Sequence, residues 1–353
     1  MRKASRQERK NIVNLVPMIL VTGGTGLVGS HLMYELIAQG ETKLRATYRT
    51  IESIEPVRDL FKWKAKENTK QAALLFKHIE WVEADVTDIP ALTEAFDDIT
   101  FVYHCAALIS FNPRDFERLQ KINVEGTANV INLCIKNKVT KVCYVSSVAA
   151  LGNSKGAITE ETHWEANKEN SVYSISKFAS EMQVWRGTQE GLDVVIVNPG
   201  IILGEGFYKQ GSGVFFKKIK KGLDYMVPGS SGFVDVLDVV NAMILLMRSK
   251  QVNERYILVG HNLGFKQVFE QIAIALQVAL PTKKVKNWQL ELAWRLDWVA
   301  SLFGKKRRLF RTTARSAYTQ VIYDTTKIKN QLAFKYTPLE ETINRIANHF
   351  NRQ

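Results

Sequence analysis

The sequence predicts a doubly wound, parallel α/β sheet with a smaller, mostly helical substrate-binding domain. Three observations carry this. Short β-rich runs alternate with helix-period segments through the first two-thirds of the 353 residues. Several of the runs are continuously apolar, as strands covered on both faces require. The first run ends in a glycine array that opens a helix.

The chain begins with a basic stretch, Arg2 to Lys10, followed by Ile12, Val13, Leu15 and Val16. This apolar stretch is short for a signal peptide and runs through Pro17 into a strand. Residues 1–17 are therefore expected to be a flexible extension, with Met18 an alternative start. The expected strands are Met18–Thr22, Lys43–Tyr48, Ile79–Glu83, Phe101–His104, Lys141–Ser146, Asp193–Asn198 and Arg255–Val259. Helical periodicity marks Gly29–Ala38 and Glu125–Lys136, and after about residue 260 it marks 265–280, 287–303 and 338–350. The expected nucleotide-binding domain is 18–200 plus 233–260, and the substrate-binding domain is 201–232 plus 261–353.

Composition excludes several classes. With 46% hydrophobic and 24% charged residues, the chain can bury a sizeable core. No apolar run reaches the ~18–20 residues of a membrane-spanning helix. Cys105, Cys134 and Cys143 suit neither a disulfide framework nor a metal site, and read as reduced thiols of a cytoplasmic protein. The six histidines show no ligand spacing, so no metal is expected. The net charge of +13 is concentrated: residues 1–17 contribute +4 and 283–315 contribute +8, leaving the body nearly neutral. Nucleic-acid binding needs basic residues spread over a docking face, so no nucleic-acid partner is expected.

The glycine array reads Thr22-Gly23-Gly24-Thr25-Gly26-Leu27-Val28-Gly29. Glycines at this spacing permit a tight turn and close backbone approach, and the helix amino terminus faces a pyrophosphate. The candidate contacts are Gly23, Thr25, Gly26, Leu27 and Val28. The second strand ends Tyr48-Arg49-Thr50, with no carboxylate before Glu52. An acidic residue there would hold the ribose hydroxyls of NAD, whereas Arg49 offers a planar fork to a 2′-phosphate. NADP(H) is favoured, with NAD(H) as the alternative. A solvated surface arginine is the plainer reading of Arg49.

Tyr173 and Lys177 stand four residues apart, on one face of a helix. A phenol needs help to act as an acid near neutral pH, and a nearby ammonium provides it. Tyr323 and Lys327 share the spacing, so spacing alone decides nothing. Only the first pair follows a strand ending in two serines, Ser146 and Ser147, and precedes a strand leading to Asn198-Pro199-Gly200.

These motifs, with Asp85-Val86, His104-Cys105-Ala106-Ala107, Asn123-Val124-Glu125-Gly126-Thr127 and Phe233 to Val239, occur in the order and spacing of the extended short-chain dehydrogenase/reductase family, which the chain resembles from Ile19 to about Phe350. The resemblance implies a Rossmann-type fold and a Ser-Tyr-Lys triad: Tyr173 as general acid/base, Lys177 as its pKa-lowering partner and ribose ligand, and Ser147 on the substrate carbonyl. It implies that Asp85 and Val86 flank the adenine, that Cys105, Ala106 and Ala107 line the cleft, and that Pro199, Gly200 and Ile201 lie near the nicotinamide. Phe233 to Val239 would join the domains. The absence of a carboxylate in Ser147 to Gly152 argues against sugar-nucleotide dehydration. Arg49 and Asn198-Pro199 look most like the dihydroflavonol-4-reductase-like branch, which reduces aldehydes and ketones. A nucleotide-sugar epimerase with tightly bound NAD, a 3β-hydroxysteroid dehydrogenase-like enzyme and an NADP-binding sensor are the alternatives. The partner expected is thus a small carbonyl or alcohol, and helix pairing in relatives allows a homodimer.

The segment 287–308 reads two ways. Leu292, Leu296, Val299 and Phe303 share one helix face, followed by Lys305-Lys306-Arg307-Arg308. Packing of that face against the cofactor domain is favoured. The other reading is peripheral membrane contact, with tryptophans at headgroup depth and cations on anionic lipid.

Overall fold

Twelve strands are present among the described residues, which in this computed structural model are 17–154, 156–166, 170–303, 307 and 309–352. The extension expected over 1–17 lies outside them except for Pro17, as do Lys305, Lys306 and Arg308 of the basic cluster. The strands are β1 Met18–Thr22, β2 Leu44–Tyr48, β3 Ile79–Glu83, β4 Ile99–His104, β5 Lys141–Val145, β6 Val194–Pro199, β7 Ile201–Leu203, β8 Tyr225–Met226, β9 Ser230–Asp235, β10 Glu254–Leu258, β11 His261–Gly264 and β12 Lys283–Lys284.

All seven strands expected from the sequence join one parallel sheet, in the order β3-β2-β1-β4-β5-β6-β10. The order reverses between β1 and β4, and a crevice opens there beyond the carboxyl ends of the strands. Burial on both faces explains the continuous apolar runs; β6 is buried along its whole length. Leu32, Met33 and Leu36 of the helix Leu27–Ala38 pack with Val239 and Met243 of the helix Val236–Arg248 over one face. Val130, Ile131 and Cys134 pack with Val184 over the other. Each such side chain contributes roughly 1.5–3 kcal/mol by leaving water.

The second part of the chain holds a sheet that its sequence pattern does not announce. β9 lies between β7, parallel to it, and β11, antiparallel. β9 therefore belongs to the small sheet, and the chain returns to the large body at Asp235 rather than at Phe233. The helices Gly213–Lys220, Phe265–Ala275 and Leu339–Phe350 close over this sheet around Phe216, Phe269 and Ile343.

A buried polar knot ties the two parts together. Arg345 donates to Glu205 at 3.2 Å and to Asp235 at 2.7 Å, and Thr342 donates to Asp235 at 2.6 Å. On the cofactor side, His31 Nε2–H donates to the Glu205 carbonyl at 3.2 Å. Burial alone would raise the Glu205 carboxyl, but the charges around it win and hold it at about 2. Burial pushes His31 down to about 4. His31 is thus neutral at pH 7, and Arg345 is the cation that matters there.

The signs of both shifts agree. The unfolded chain binds more protons than the folded one, at His31 from about pH 6.5 to 4 and at Glu205 from about 4.5 to 2. Stability is therefore expected to fall as the pH drops below 6.5. Arg345→Met leaves two buried carboxylates without their cation and is expected to cost about 3–5 kcal/mol in urea denaturation at pH 7. That deficit should narrow toward pH 4, as Glu205, deprived of its cation, takes up a proton.

Candidate active site

The crevice gathers the carboxyl ends of β1 to β6. After β1, Gly23 adopts φ +69°, and a Cβ there would lie 2.6 Å from the Ala106 backbone nitrogen. Only glycine lets the two loops approach so closely. A Cβ on Gly29 would meet the Gly23 carbonyl at 2.3 Å, so the helix Leu27–Ala38 starts tight against the turn. Gly26 precedes the helix with no side chain capping it, which leaves the first-turn amides available to an anion. These residues fit a dinucleotide pyrophosphate.

Arg49 is exposed just beyond β2. Asp85 is half-buried after β3, its carboxylate accepting from the amide and hydroxyl of Thr87 at 2.9 and 2.7 Å. Val86 packs against Gly126, where a Cβ would come within 2.5 Å of it. Cys105 and Ala106 are half-buried and Ala107 is exposed along the opposite wall. Burial pushes the Cys105 thiol up to about 12, so it is no nucleophile. Gly200 follows β6 and touches the small sheet: a Cβ there would lie 2.4 Å from the Gly232 carbonyl. Pro199 is buried beside it and Ile201 begins β7.

Of the two serines after β5, Ser146 is turned inward and donates to Glu181 at 2.6 Å. Ser147 is left half-buried just beyond it, its hydroxyl accepting from Ala149 N at 3.1 Å. Tyr173 sits in the first turn of the helix Val172–Gln189, which Ser171 caps by accepting from Ser174 N. Burial pushes the phenol up to about 12, while the Ser147 hydroxyl pulls it down. The ring of Phe111 stands edge-on to Tyr173 at 5.5 Å, giving the mouth an apolar wall.

The direct hydrogen bonds of Lys177 go to groups other than the Tyr173 phenol. Its ammonium donates to Tyr144 Oη at 2.8 Å and to the Val145 carbonyl at 2.9 Å, and lies 4.5 Å from the Tyr144 ring centroid. Burial lowers Lys177 to about 7. The hydroxyl that lowers Tyr173 is Ser147, one turn of chain from Lys177's actual partners. Tyr323 and Lys327 lie elsewhere: Tyr323 bridges to Ile158 and Lys327 pairs with Glu254.

Three supporting residues have roles that motif reading does not show, although Asn123 opens one of the motifs. Tyr144 stacks on His104 at 5.3 Å, and His104 is hydrogen-bonded to Thr22 at 2.6 Å and Thr127 at 3.0 Å. Burial holds His104 at about 3 and hence neutral. Asn123 clamps the loop after β4, bonding both backbone groups of Leu108 and the Ser176 hydroxyl. Glu181 accepts from Ser146, Asn198, Trp185 and Arg255. Only the alternation along β5, which turns Tyr144 and Ser146 to the same side, hints at any of them.

A doubly wound sheet with a glycine turn at its switch point, and a tyrosine-serine pair beside it, defines a nucleotide-dependent oxidoreductase. The family model for the NAD dependent epimerase/dehydratase family matches residues 19–260, and the chain belongs to that family. It is an NAD(P)-dependent oxidoreductase of the extended short-chain type. The Synechocystis sp. protein called "Putative dihydroflavonol 4-reductase" is 25% identical over 94% of each chain. Sterol demethylase protein B of Methylococcus capsulatus is 30% identical over 71% of this chain and 72% of that one. Anthocyanidin reductase of Arabidopsis thaliana is 28% identical over 70% and 77%. Among solved structures, gox2253 superposes with a TM-score of 0.77 at 26% identity, covering 95% of this chain and 98% of that one. UDP-glucose 4-epimerase of Thermotoga maritima shares the fold, with a TM-score of 0.73 at 21% identity over 95% and 98%.

Replacing Tyr144 by Phe removes an acceptor from a buried ammonium. The variant is expected to lose about 1–3 kcal/mol in urea denaturation and to lower the Lys177 pKa further, because the lost bond favoured the charged form.

Proposed function

We propose that the protein reduces an aldehyde or ketone with NADPH, or oxidises the corresponding alcohol. The observation that supports this most is that Tyr173 and Ser147 are brought together beyond β5, beside the glycine crevice and under the apolar wall of Phe111. The cofactor would be held by Gly23, Thr25, Gly26, Leu27 and Val28 at its pyrophosphate. Arg49 would hold the 2′-phosphate, and Asp85 and Val86 would flank the adenine. Cys105, Ala106, Ala107, Pro199, Gly200 and Ile201 would line the nicotinamide side, and Lys177 would serve the ribose. When bound, it supplies a hydride to the carbonyl carbon.

The chain's own part is the oxygen. Ser147 donates a hydrogen bond to the substrate carbonyl oxygen and polarises it, and Tyr173 delivers its phenolic proton to the same oxygen. A phenol held up at about 12 is fully protonated at neutral pH, which suits an acid in the reducing direction. Phe111 and Ile109, both exposed at the mouth, favour an apolar carbonyl over a sugar nucleotide.

The test follows loss of reduced-nicotinamide absorbance against aldehydes, ketones and nucleotide sugars. NADPH-dependent reduction of a simple carbonyl is expected, with Tyr173→Phe losing about 10²–10⁴-fold in kcat at unchanged cofactor affinity. Cofactor binding with epimerised sugar as product would overturn the reading. Alcohol oxidation needs the phenolate, so its rate should climb from pH 7 to 10 while carbonyl reduction does not. Arg49→Glu should weaken NADPH about tenfold or more and leave NADH nearly unaffected, measured by fluorescence titration.

A further inference from the structure

The helix Asn287–Leu302 is amphipathic in the reverse sense. Trp288, Leu292, Leu296, Val299, Leu302 and Phe303 are all exposed, between 42% and 82%, and at about 100° per residue they fall on one side of the helix, which the exposed cation of Arg295 shares. This corrects the expectation that the face packs against the cofactor domain. Asp297 points the other way and accepts from Leu309 N at 3.0 Å, while Glu291, at the edge of the face, accepts from Tyr318 Oη at 3.0 Å and pairs with Arg295 at 2.9 Å. Leu290 is its one buried large side chain, and the helix packs on the short helix Arg311–Ser316. An exposed contiguous apolar face of this kind marks an interaction surface.

We infer that this face docks on an anionic lipid bilayer. The argument is charge. Residues 283–315 carry ten basic and two acidic residues, and Lys305 to Arg308 follow the helix directly in sequence. A second copy meeting this face would bring the same +8 against itself. The amino-terminal segment carries +4 and is repelled too, and the nearly neutral remainder offers no acidic complement of matching size. An anionic membrane supplies both an apolar layer for the aliphatic face and headgroups for the cations, with tryptophans at the boundary. No helix among the described residues is long and apolar enough to cross a membrane, so the contact lies in the surface plane. The proposal is independent of which carbonyl the crevice takes.

The full chain is tested by co-sedimentation with vesicles of phosphatidylcholine alone and with about one-third phosphatidylglycerol. Binding is expected to the anionic vesicles at least tenfold more tightly than to the neutral ones, and to weaken with salt. The double substitution Leu296→Gln and Val299→Gln, at exposed positions, should reduce binding about tenfold or more while leaving thermal unfolding unchanged. Equal binding to both vesicles, or none to either, overturns the proposal. So does a dimer in sedimentation equilibrium that the double substitution dissociates, since the face would then be covered by a second copy.

Discussion

The site rests on one buried carboxylate. Glu181, near the middle of the helix Val172–Gln189, accepts from Ser146 on β5, Asn198 on β6 and Arg255 on β10. Three neighbouring strands are thereby tied to the helix that carries Tyr173 and Lys177. The same bond turns Ser146 away from the crevice, and Asn198 also donates to the Ser147 carbonyl at 3.0 Å. The orientation of the serine pair is thus decided by the same helix that carries Tyr173 and Lys177.

Electrostatics in the crevice follow from burial more than from pairing. Tyr173, Lys177, His104 and Cys105 are each shifted toward their neutral forms, with desolvation the largest cause in every case. The direct hydrogen bonds of Lys177, the cation expected to ease Tyr173, go to a second tyrosine below it and to the Val145 carbonyl. A layered arrangement results, in which Ser147 serves Tyr173 at the surface of the crevice, and Tyr144 serves Lys177 underneath.

How much of this was legible in the sequence depends on the range of the interaction. The central strands of the large sheet, such as β6, are apolar because both faces are covered, and local pattern reports that directly. β9, Ser-Ser-Gly-Phe-Val-Asp, and β11, His-Asn-Leu-Gly, are short, glycine-bearing and half polar, so no periodicity marks them. The Tyr173–Ser147 pair was readable through ordered motifs. The Lys177–Tyr144 bond spans 33 residues and leaves no trace in spacing. The helix Asn287–Leu302 shows another limit: periodicity identifies an apolar face but says nothing about what the face meets.

The joints between the two sheets have a mechanical consequence. β6 passes into β7 across Gly200 alone, whose amide is bonded to the Leu258 carbonyl at 3.0 Å. Gly260, between β10 and β11, donates to the Phe233 carbonyl at 2.9 Å. β9 runs straight into the helix Val236–Arg248, and Asp235 at that corner is gripped by Arg345 and Thr342. These three crossings between the sheets are each stitched by backbone or buried polar bonds, so a swing of the small sheet about any of them has to break at least one such bond.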